Sequence, residues 1–327
     1  MILQPPQNIE TTQTLKLNSY GGKVETDVFK SWLIDILFVD CGCLLVTDAR
    51  NKKLKKFSFK GKIQHELEFE NRPMFFTYFD DKFVYVTFPD ETFLRVINTD
   101  KCLEVVDQIA VPNQCSGIAK INEMTFALTC RPKSKIYIMS RSCVKIRSIK
   151  PLIGVNEITH VYVSPVEDGD VNGSDEEANN KGHCEIAGQK DFQALKRQRL
   201  SLKQKTNPSR LVWPGFIAAS EKQIFVTDYE TCLLTIIGMR QDASFYHKSI
   251  PLVDPRGVVI HNNMLYIAAG TIRIFTLDGE AVTEIHTHRG PITFPRSIAF
   301  DNTGHYMAVT HKGDGDDCIS IYQLLSS

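Results

Sequence analysis

The stretch that decides the fold is Val46-Thr47-Asp48, the tip of a hydrophobic strand, because five similar tips follow it along the chain. The other tips are Val86-Thr87, Leu128-Thr129, Val226-Thr227-Asp228, Ile267-Ala268 and Val309-Thr310. Between the second residues of successive tips the spacings are 40, 42, 98, 41 and 42 residues (47 to 87, 87 to 129, 129 to 227, 227 to 268 and 268 to 310). A period of about 40–45 residues, filled by short strands, is typical of a β-propeller with one blade per repeat.

The residues around each tip predict an all-β fold, a six-bladed β-propeller of four-stranded antiparallel blades. In blade 1, residues 32–39, 43–47, 53–57 and 63–69 have the composition of four consecutive strands separated by turns. Blade 6 runs out of chain after its third strand, so we expect residues 14–17 near the N-terminus to supply the fourth. This overlap would close the ring and leave no exposed inner edge.

The 98-residue spacing interrupts the period, since one repeat of about 42 residues leaves about 56 more to be placed. We interpret the chain as one domain, 1–327, with a polar and mobile insertion at 166–208, because this stretch lacks strand alternation. A degenerate seventh blade that uses 158–164 is the alternative. Within the insertion, Ser174 precedes three acidic residues and is a candidate phosphorylation site.

The composition excludes several classes of protein. Lys plus Arg and Asp plus Glu both number 38, so no net charge directs the chain to nucleic acid or an anionic membrane. The first 18 residues are polar and no apolar run approaches 18 residues, so we expect neither a secretory signal nor a transmembrane helix. The nine cysteines include no C-x-x-C pair, which argues against zinc and redox motifs and favours reduced thiols in a cytoplasmic protein.

The usual catalytic patterns are missing from the sequence. There is no G-x-S-x-G, no H-E-x-x-H and no glycine-rich phosphate loop. Asp168, Asp170 and Asn172 match the start of a calcium-binding loop, but Asn179 stands where the bidentate Glu is needed. We therefore predict no enzyme activity, no metal site, no cofactor and no small-molecule substrate.

A basic rim is the candidate binding site. Arg256 and Arg296 come just before the innermost strands of blades 5 and 6, and equivalent positions in a ring face the same rim. Arg50, Arg131 and Lys133 lie in loops after second strands and are expected to share that face. Such a rim could bind phosphates or acidic peptide segments. The alternative is that the arginines tie adjacent blades to loop carbonyls.

Segment 46–57, closed by Gly61, resembles the NHL repeat. That repeat has a strand, an Asp, an Asn three residues later, a basic residue, an aliphatic residue and an aromatic residue before glycine; Asp48 and Asn51 fit this order. Blade 4 keeps the Asp but has Thr231 at the Asn position. As an order of strands, nearly the whole chain is similar to the six-bladed propellers that end tripartite-motif (TRIM) ubiquitin ligases of the NHL class.

The resemblance implies a function in recognition. In TRIM-NHL proteins the propeller recognises the substrate, as protein or as RNA stem-loops, behind a RING finger, B-boxes and a coiled coil. The first 30 residues here hold no cysteine, histidine or heptads, so we expect a non-catalytic module that binds a protein partner in ubiquitin-linked regulation. RNA binding through the basic rim is the alternative. A calcium-dependent propeller hydrolase is a further one, and it requires Glu, Asp and Asn to converge at the starts of the inner strands.

Overall fold

The computed structural model describes residues 13–39, 42–112, 114–130, 135–141, 145–149, 211, 213–239, 245–287, 290–292, 294–313 and 315–325. Within these ranges the regular elements are 26 β-strands, which form six sheets. The same ranges contain no helix long and apolar enough to cross a membrane. The predicted all-β, six-bladed propeller is therefore confirmed.

Blades 1 to 5 each use four consecutive strands, the first innermost and the fourth outermost. Blade 1 holds β2 (Leu33–Val39), β3 (Cys43–Asp48), β4 (Lys53–Phe57) and β5 (Ile63–Glu68); blade 2 holds β6 (Phe76–Tyr78), β7 (Phe83–Val86), β8 (Phe93–Asn98) and β9 (Glu104–Ala110). Blade 3 holds β10 (Cys115–Asn122), β11 (Thr125–Cys130), β12 (Lys135–Ser140) and β13 (Lys145–Ile149); blade 4 holds β14 (Pro214–Ala219), β15 (Gln223–Asp228), β16 (Leu233–Met239) and β17 (Phe245–Pro251). Blade 5 holds β18 (Pro255–His261), β19 (Met264–Ala269), β20 (Thr271–Thr276) and β21 (Ala281–Glu284).

Blade 6 closes the ring with the N-terminal strand, as predicted. Its own strands are β24 (Pro295–Phe300), β25 (Tyr306–Lys312) and β26 (Asp317–Leu324). The fourth is β1 (Gln13–Gly21), which pairs antiparallel with β26 over a longer stretch than the predicted 14–17. Two short strands, β22 (His286–Thr287) and β23 (Gly290–Pro291), continue this sheet beyond β1.

Blades 3 and 4 are direct neighbours, so the alternative of a seventh blade between them is wrong. The hydroxyls of Ser116 and Thr129 in blade 3 both donate to the carbonyl oxygen of Pro214 in blade 4, at 3.2 and 2.9 Å. Such contact leaves no room for another inner strand. The predicted insertion at 166–208, with Ser174, lies outside the described residues.

The threonine at four of the six tips joins neighbouring blades, which explains why it recurs. A β-bulge places Ile34 and Asp35 opposite Thr47, so the bulged backbone needs a partner outside the ladder. The Thr47 hydroxyl accepts the Asp35 N–H (3.0 Å) and donates to the carbonyl oxygen of Met74 in blade 2 (2.8 Å). Donation to the next blade recurs from Thr87 to Ser116 (2.6 Å), from Thr129 to Pro214 (2.9 Å) and from Thr227 to Arg256 (2.5 Å).

One pair of cysteines is oxidised, against the expectation of reduced thiols throughout. Cys115 and Cys130 are directly opposite each other on β10 and β11, with Cα atoms 4.0 Å apart, and their sulfur atoms are bonded. Sequence spacing could not reveal this pair because their proximity depends on the strand register. Of the other cysteines in the described ranges, Cys43, Cys102, Cys232 and Cys318 form no disulfide bond.

Candidate functional site

The propeller has two faces, and the exposed aromatic side chains discussed below lie on one of them. We call the face at which the inner strands begin the upper face, and the opposite one the lower face. The second strand of each blade ends at the upper face, since Leu33 at the start of β2 pairs with Asp48 at the end of β3. Loops that precede inner strands and loops that follow second strands therefore meet there.

In blade 1, Asp48, Asn51 and Lys55 form a buried ionic network below the upper face. The Asp48 carboxylate accepts hydrogen bonds from the Trp32 N–H (3.0 Å), the Asn51 amide (2.9 Å) and the Lys55 ammonium (2.7 Å). Lys55 is fully buried and also pairs with Asp27 at 2.5 Å. Burial by itself would raise the pKa of Asp48, but the Lys55 charge and these hydrogen bonds hold it below its ordinary value.

The same network presents an apolar loop to solvent. Asn51 accepts a hydrogen bond from the Phe29 N–H (2.9 Å) and donates one to the Phe29 carbonyl oxygen (3.2 Å). This fixes the backbone of the loop before β2 on the upper face. Val28 and Phe29 are consequently displayed with exposed fractions of 81% and 56%.

Two more aromatic side chains are exposed on the upper face. Trp213 precedes β14 in blade 4, opposite blade 1 in the ring, and its N–H donates to Asp228 (3.0 Å) as Trp32 does to Asp48. Phe294 precedes β24, and its N–H donates to the carbonyl oxygen of Gly270 (3.0 Å). Their exposed fractions are 41% and 42%. Phe294 also has a left-handed backbone (φ 50°), which costs a non-glycine residue about 1–2 kcal/mol.

The predicted basic residues take different roles on this face. Arg50 is exposed in the turn between β3 and β4. Arg256 is half-buried: its Nε donates to Asp254 (3.0 Å), and its guanidinium carbon lies 4.5 Å from the centre of the Tyr229 ring. Arg131 and Lys133 lie outside the described residues.

Arg296 connects two blades. Its guanidinium donates to the carbonyl oxygen of Leu33 in blade 1 (2.9 Å) and to the carboxylate of Asp317 in blade 6. The Asp317 carboxylate also accepts the Leu33 N–H (2.7 Å). Burial raises the pKa of Asp317 more than the Arg296 charge lowers it. Arg296 therefore joins adjacent blades, as in the alternative that the sequence suggested, although its acceptor is the first residue of β2 and not a loop residue.

Below the upper face the inner strands surround a central channel. At the level of the bulges the six blades contribute Asp35, Phe75, Gly117, Phe216, Gly257 and Ser297. A Cβ on Gly257 would lie 2.7 Å from the Cα of Ser297, so this position requires glycine. Phe75 from blade 2 reaches Phe216 from blade 4, with ring centres 4.7 Å apart in an edge-to-face contact. These rings narrow the upper end of the channel.

Asp35 is a carboxylate that the sequence motifs did not point to. It lines the channel, where Oδ1 accepts the Ser297 hydroxyl (2.6 Å) and the Ile36 N–H (3.0 Å), and Oδ2 accepts the Phe76 N–H (3.2 Å). Burial raises the pKa of Asp35 to about 6, although these three hydrogen bonds oppose the rise. The available sequence signal was an acidic residue inside an otherwise apolar inner strand.

The channel offers a cation few ligands. At the bulge level Asp35 is the single carboxylate among the six residues, and the described part of the chain contains no group of three or more His, Cys, Asp or Glu residues placed to hold a metal. The calcium-dependent alternative required several carboxylate or amide groups to converge there.

Comparisons with known proteins identify a fold and no family. No protein-family model matches the chain, and no curated protein matches its sequence. A streptogramin B lyase superposes with a TM-score of 0.56 at 11% identity, covering 94% of this chain and 98% of the lyase. Virginiamycin B lyase from Staphylococcus aureus (TM-score 0.55, 15% identity, 94% and 99% covered) and U3-55K (TM-score 0.55, 8% identity, 94% and 98% covered) are similar to the same extent. At these identities the likeness shows the propeller fold alone.

Proposed function

We propose that this propeller is a non-catalytic binding module that recognises a protein partner on its upper face. The observation that carries the proposal is that the three exposed Phe and Trp side chains of the described residues, Phe29, Trp213 and Phe294, all lie there, with Val28 beside the first. Exposed aromatic side chains are costly to hydrate and supply much of the contact energy at protein interfaces.

The details of the face support a partner with an apolar segment and acidic flanks. Phe294 keeps a large aromatic side chain at a left-handed position that glycine would occupy with less strain, and strain of this kind is concentrated at functional sites. Arg50 adds positive charge at the same rim, where Arg256 is paired with Asp254. Aromatic anchors surrounded by arginines are a common composition of protein-binding surfaces.

The finer proposal is substrate recognition in ubiquitin-linked regulation, in the manner of TRIM-NHL propellers. It rests on the resemblance of blade 1, whose Asp48, Asn51 and Lys55 form one hydrogen-bonded network. A cytoplasmic location is part of this proposal. The cytoplasmic location was predicted from reduced thiols, and the Cys115–Cys130 disulfide argues against that prediction because disulfides persist mainly in oxidising compartments.

The test places a photo-crosslinking amino acid, p-benzoylphenylalanine, at Phe294 and, as the matched control, at Met124. Met124 is 66% exposed in the β10–β11 hairpin on the lower face. After irradiation in lysate, we expect protein adducts at position 294 that resist nuclease and are absent at position 124. The double variant Phe29→Ser/Trp213→Ser should abolish them without changing the melting temperature.

The contrary results are equally specific. Nuclease-sensitive adducts that disappear in Arg50→Glu/Arg256→Glu would favour the RNA alternative. Equal labelling at positions 294 and 124 would refute a site on the upper face. If the captured partner has no connection to ubiquitin transfer, the finer proposal is wrong. Arg296 is left unchanged in every variant because its substitution would disturb the joint between blades 6 and 1.

A further inference from the structure

The central channel contains an open cavity of about 220 Å³, separate from the aromatic side chains of the upper face. It extends below the contact between Phe75 and Phe216, toward the lower face, and its wall comes from the inner strands of all six blades. The wall is mostly apolar, formed by Phe75, Phe76, Ile118, Phe216, Ile217 and Val258 among others. An apolar cavity with a few polar groups is the usual composition of a small-molecule site.

Asp35 is the acidic group of this wall, and its hydrogen bonds leave it with acceptor capacity. An ionised carboxylate has about four acceptor positions. Oδ1 uses two of them, for Ser297 and Ile36, whereas Oδ2 has one long bond to the Phe76 N–H. A donor placed in the cavity could therefore bind Oδ2 without displacing the bonds that hold Asp35 in position.

No cationic side chain among the lining residues is paired with the Asp35 carboxylate. The other ionisable lining residue is Lys120 on β10, and its ammonium pairs with Glu123 at 2.6 Å. The lining residues of β6, β14, β18 and β24 are uncharged, and Thr47 stands behind Asp35 on β3. Arg296, next to Ser297, is bound to Asp317.

We propose that the channel cavity binds a small ligand with a protonated amine and an apolar body, in which the ammonium group donates to Oδ2 of Asp35 and the body contacts the aromatic wall. The cavity is smaller than the usual range for drug-sized ligands, about 300–1,000 Å³, so the ligand is of the size of a simple aryl or cycloalkyl amine. This site is independent of the protein-binding face.

The direct test compares benzylammonium with benzyl alcohol, which has a similar shape and no charge, by titration calorimetry of the wild-type protein. We expect saturable binding of benzylammonium with one site, and at least tenfold weaker binding of the alcohol at pH 7. The carboxylate pKa of about 6 means that roughly one molecule in eleven is ionised at pH 5, so benzylammonium should bind about tenfold more weakly there than at pH 7. The alcohol should show no such change.

Two variants then locate the site. Asp35→Asn should reduce benzylammonium affinity to that of the alcohol and remove the pH dependence. Asp107→Asn is the matched control, because Asp107 is the carboxylate lining a second cavity, of about 370 Å³, between blades 2 and 3; it should bind as the wild type does. Because Asp35→Asn could unfold, the wild-type pH series stands on its own. Absence of saturable binding, equal binding of amine and alcohol, or loss of binding in Asp107→Asn alone would each overturn the proposal.

Discussion

The seam between blades 6 and 1 is crossed by polar side chains, whereas the seam between blades 5 and 6 is closed mainly by apolar ones. We call the seam between blades 6 and 1 the closing seam. There the Ser297 hydroxyl donates to Asp35 (2.6 Å) and Arg296 donates to the carbonyl oxygen of Leu33 (2.9 Å). Asp317 accepts the Leu33 N–H (2.7 Å) and the Arg296 guanidinium. These residues lie over an apolar core that both blades share.

At the seam between blades 5 and 6 the tip position is Ala268, so the hydroxyl with which Thr47, Thr87, Thr129 and Thr227 bridge to the next blade is missing. The inner strands approach closely at Gly257, and His261 stacks on Phe300 with ring centres 4.1 Å apart. Tyr266 completes the aromatic cluster at 4.7 Å from Phe300. Burial lowers the pKa of His261, in keeping with an apolar environment.

The two seams also differ in the distance along the chain between the residues that they join. The polar bonds of the closing seam join residues 262 to 284 positions apart, while Gly257 and Ser297 are one repeat apart. Closing a long loop costs more chain entropy than joining neighbouring repeats. Apolar packing is non-directional, whereas hydrogen bonds between buried groups have a required geometry, so polar bonds can fix the register of the two ends of the chain.

Deleting residues 13–21 should have the largest effect, because it removes β1, the fourth strand of blade 6, and exposes the edge of β26. We expect the melting temperature to fall by about 10 °C or more, or the chain to fail to fold. Circular dichroism during heating measures this. The control Leu17→Ser changes an exposed side chain of the same strand and should be nearly neutral. A deletion variant that melts as the wild type does would show that the ring closes without β1.

Asp317→Ala should have the next largest effect. It leaves the buried Leu33 N–H and the Arg296 guanidinium without their carboxylate partner, and such losses typically cost about 3–5 kcal/mol. Urea unfolding measures the free energy difference. Asp317→Asn keeps an acceptor for the Leu33 N–H and should recover part of the loss. A loss of unfolding free energy below about 1 kcal/mol in Asp317→Ala would mean that apolar packing, and not these polar bonds, stabilises the closing seam.

The pH dependence of stability tests Asp35 within the same seam. Its pKa is raised to about 6 in the folded protein, above the ordinary value of 3.8, so the folded state holds the proton more tightly than the unfolded state. This contribution is fully present below about pH 4 and is lost as the pH rises through 6, an effect of about 2–3 kcal/mol. Relative to Asp35→Asn, the wild type should lose that stability between pH 4 and 7. A difference that does not change with pH would contradict the assignment.

The smallest changes in stability are expected from substitutions at two tips, one of which removes a hydroxyl and the other of which adds one. Thr87→Val removes the hydroxyl that binds the Ser116 carbonyl (2.6 Å) and the Phe75 N–H (3.2 Å), and should cost about 1–2 kcal/mol. Ala268→Ser adds a hydroxyl at the equivalent tip, facing the carbonyl of Arg296 by the pattern of the other blades, and should gain at most about 1 kcal/mol. Urea unfolding of both variants checks the contrast. A stabilised Thr87→Val would show that the bridge is not a source of stability.

The predictable part of the fold was local. Alternation of apolar and polar residues over four to eight positions indicates a strand, and the spacing of the tips indicates a blade. The strand bounds of blade 1 were therefore predicted to within about one residue. For β4 the predicted range 53–57 is identical to the observed one, and for β5 the predicted range 63–69 is one residue longer than the observed Ile63–Glu68. The N-terminal closing strand also follows from the sequence, because blade 6 lacks a fourth strand.

The sequence by itself determined six strand-rich repeats and their closure; the tertiary structure decided what the polar residues do. Arg256 and Arg296 have equivalent positions in the sequence, yet one stacks on Tyr229 and the other joins two blades. Asp35 became a channel carboxylate, and Phe29, Trp213 and Phe294 were brought to one face, only when the ring closed. The physical reason is that strand formation depends on neighbours in the chain, whereas a side chain's partner in this ring is usually a whole repeat or more away.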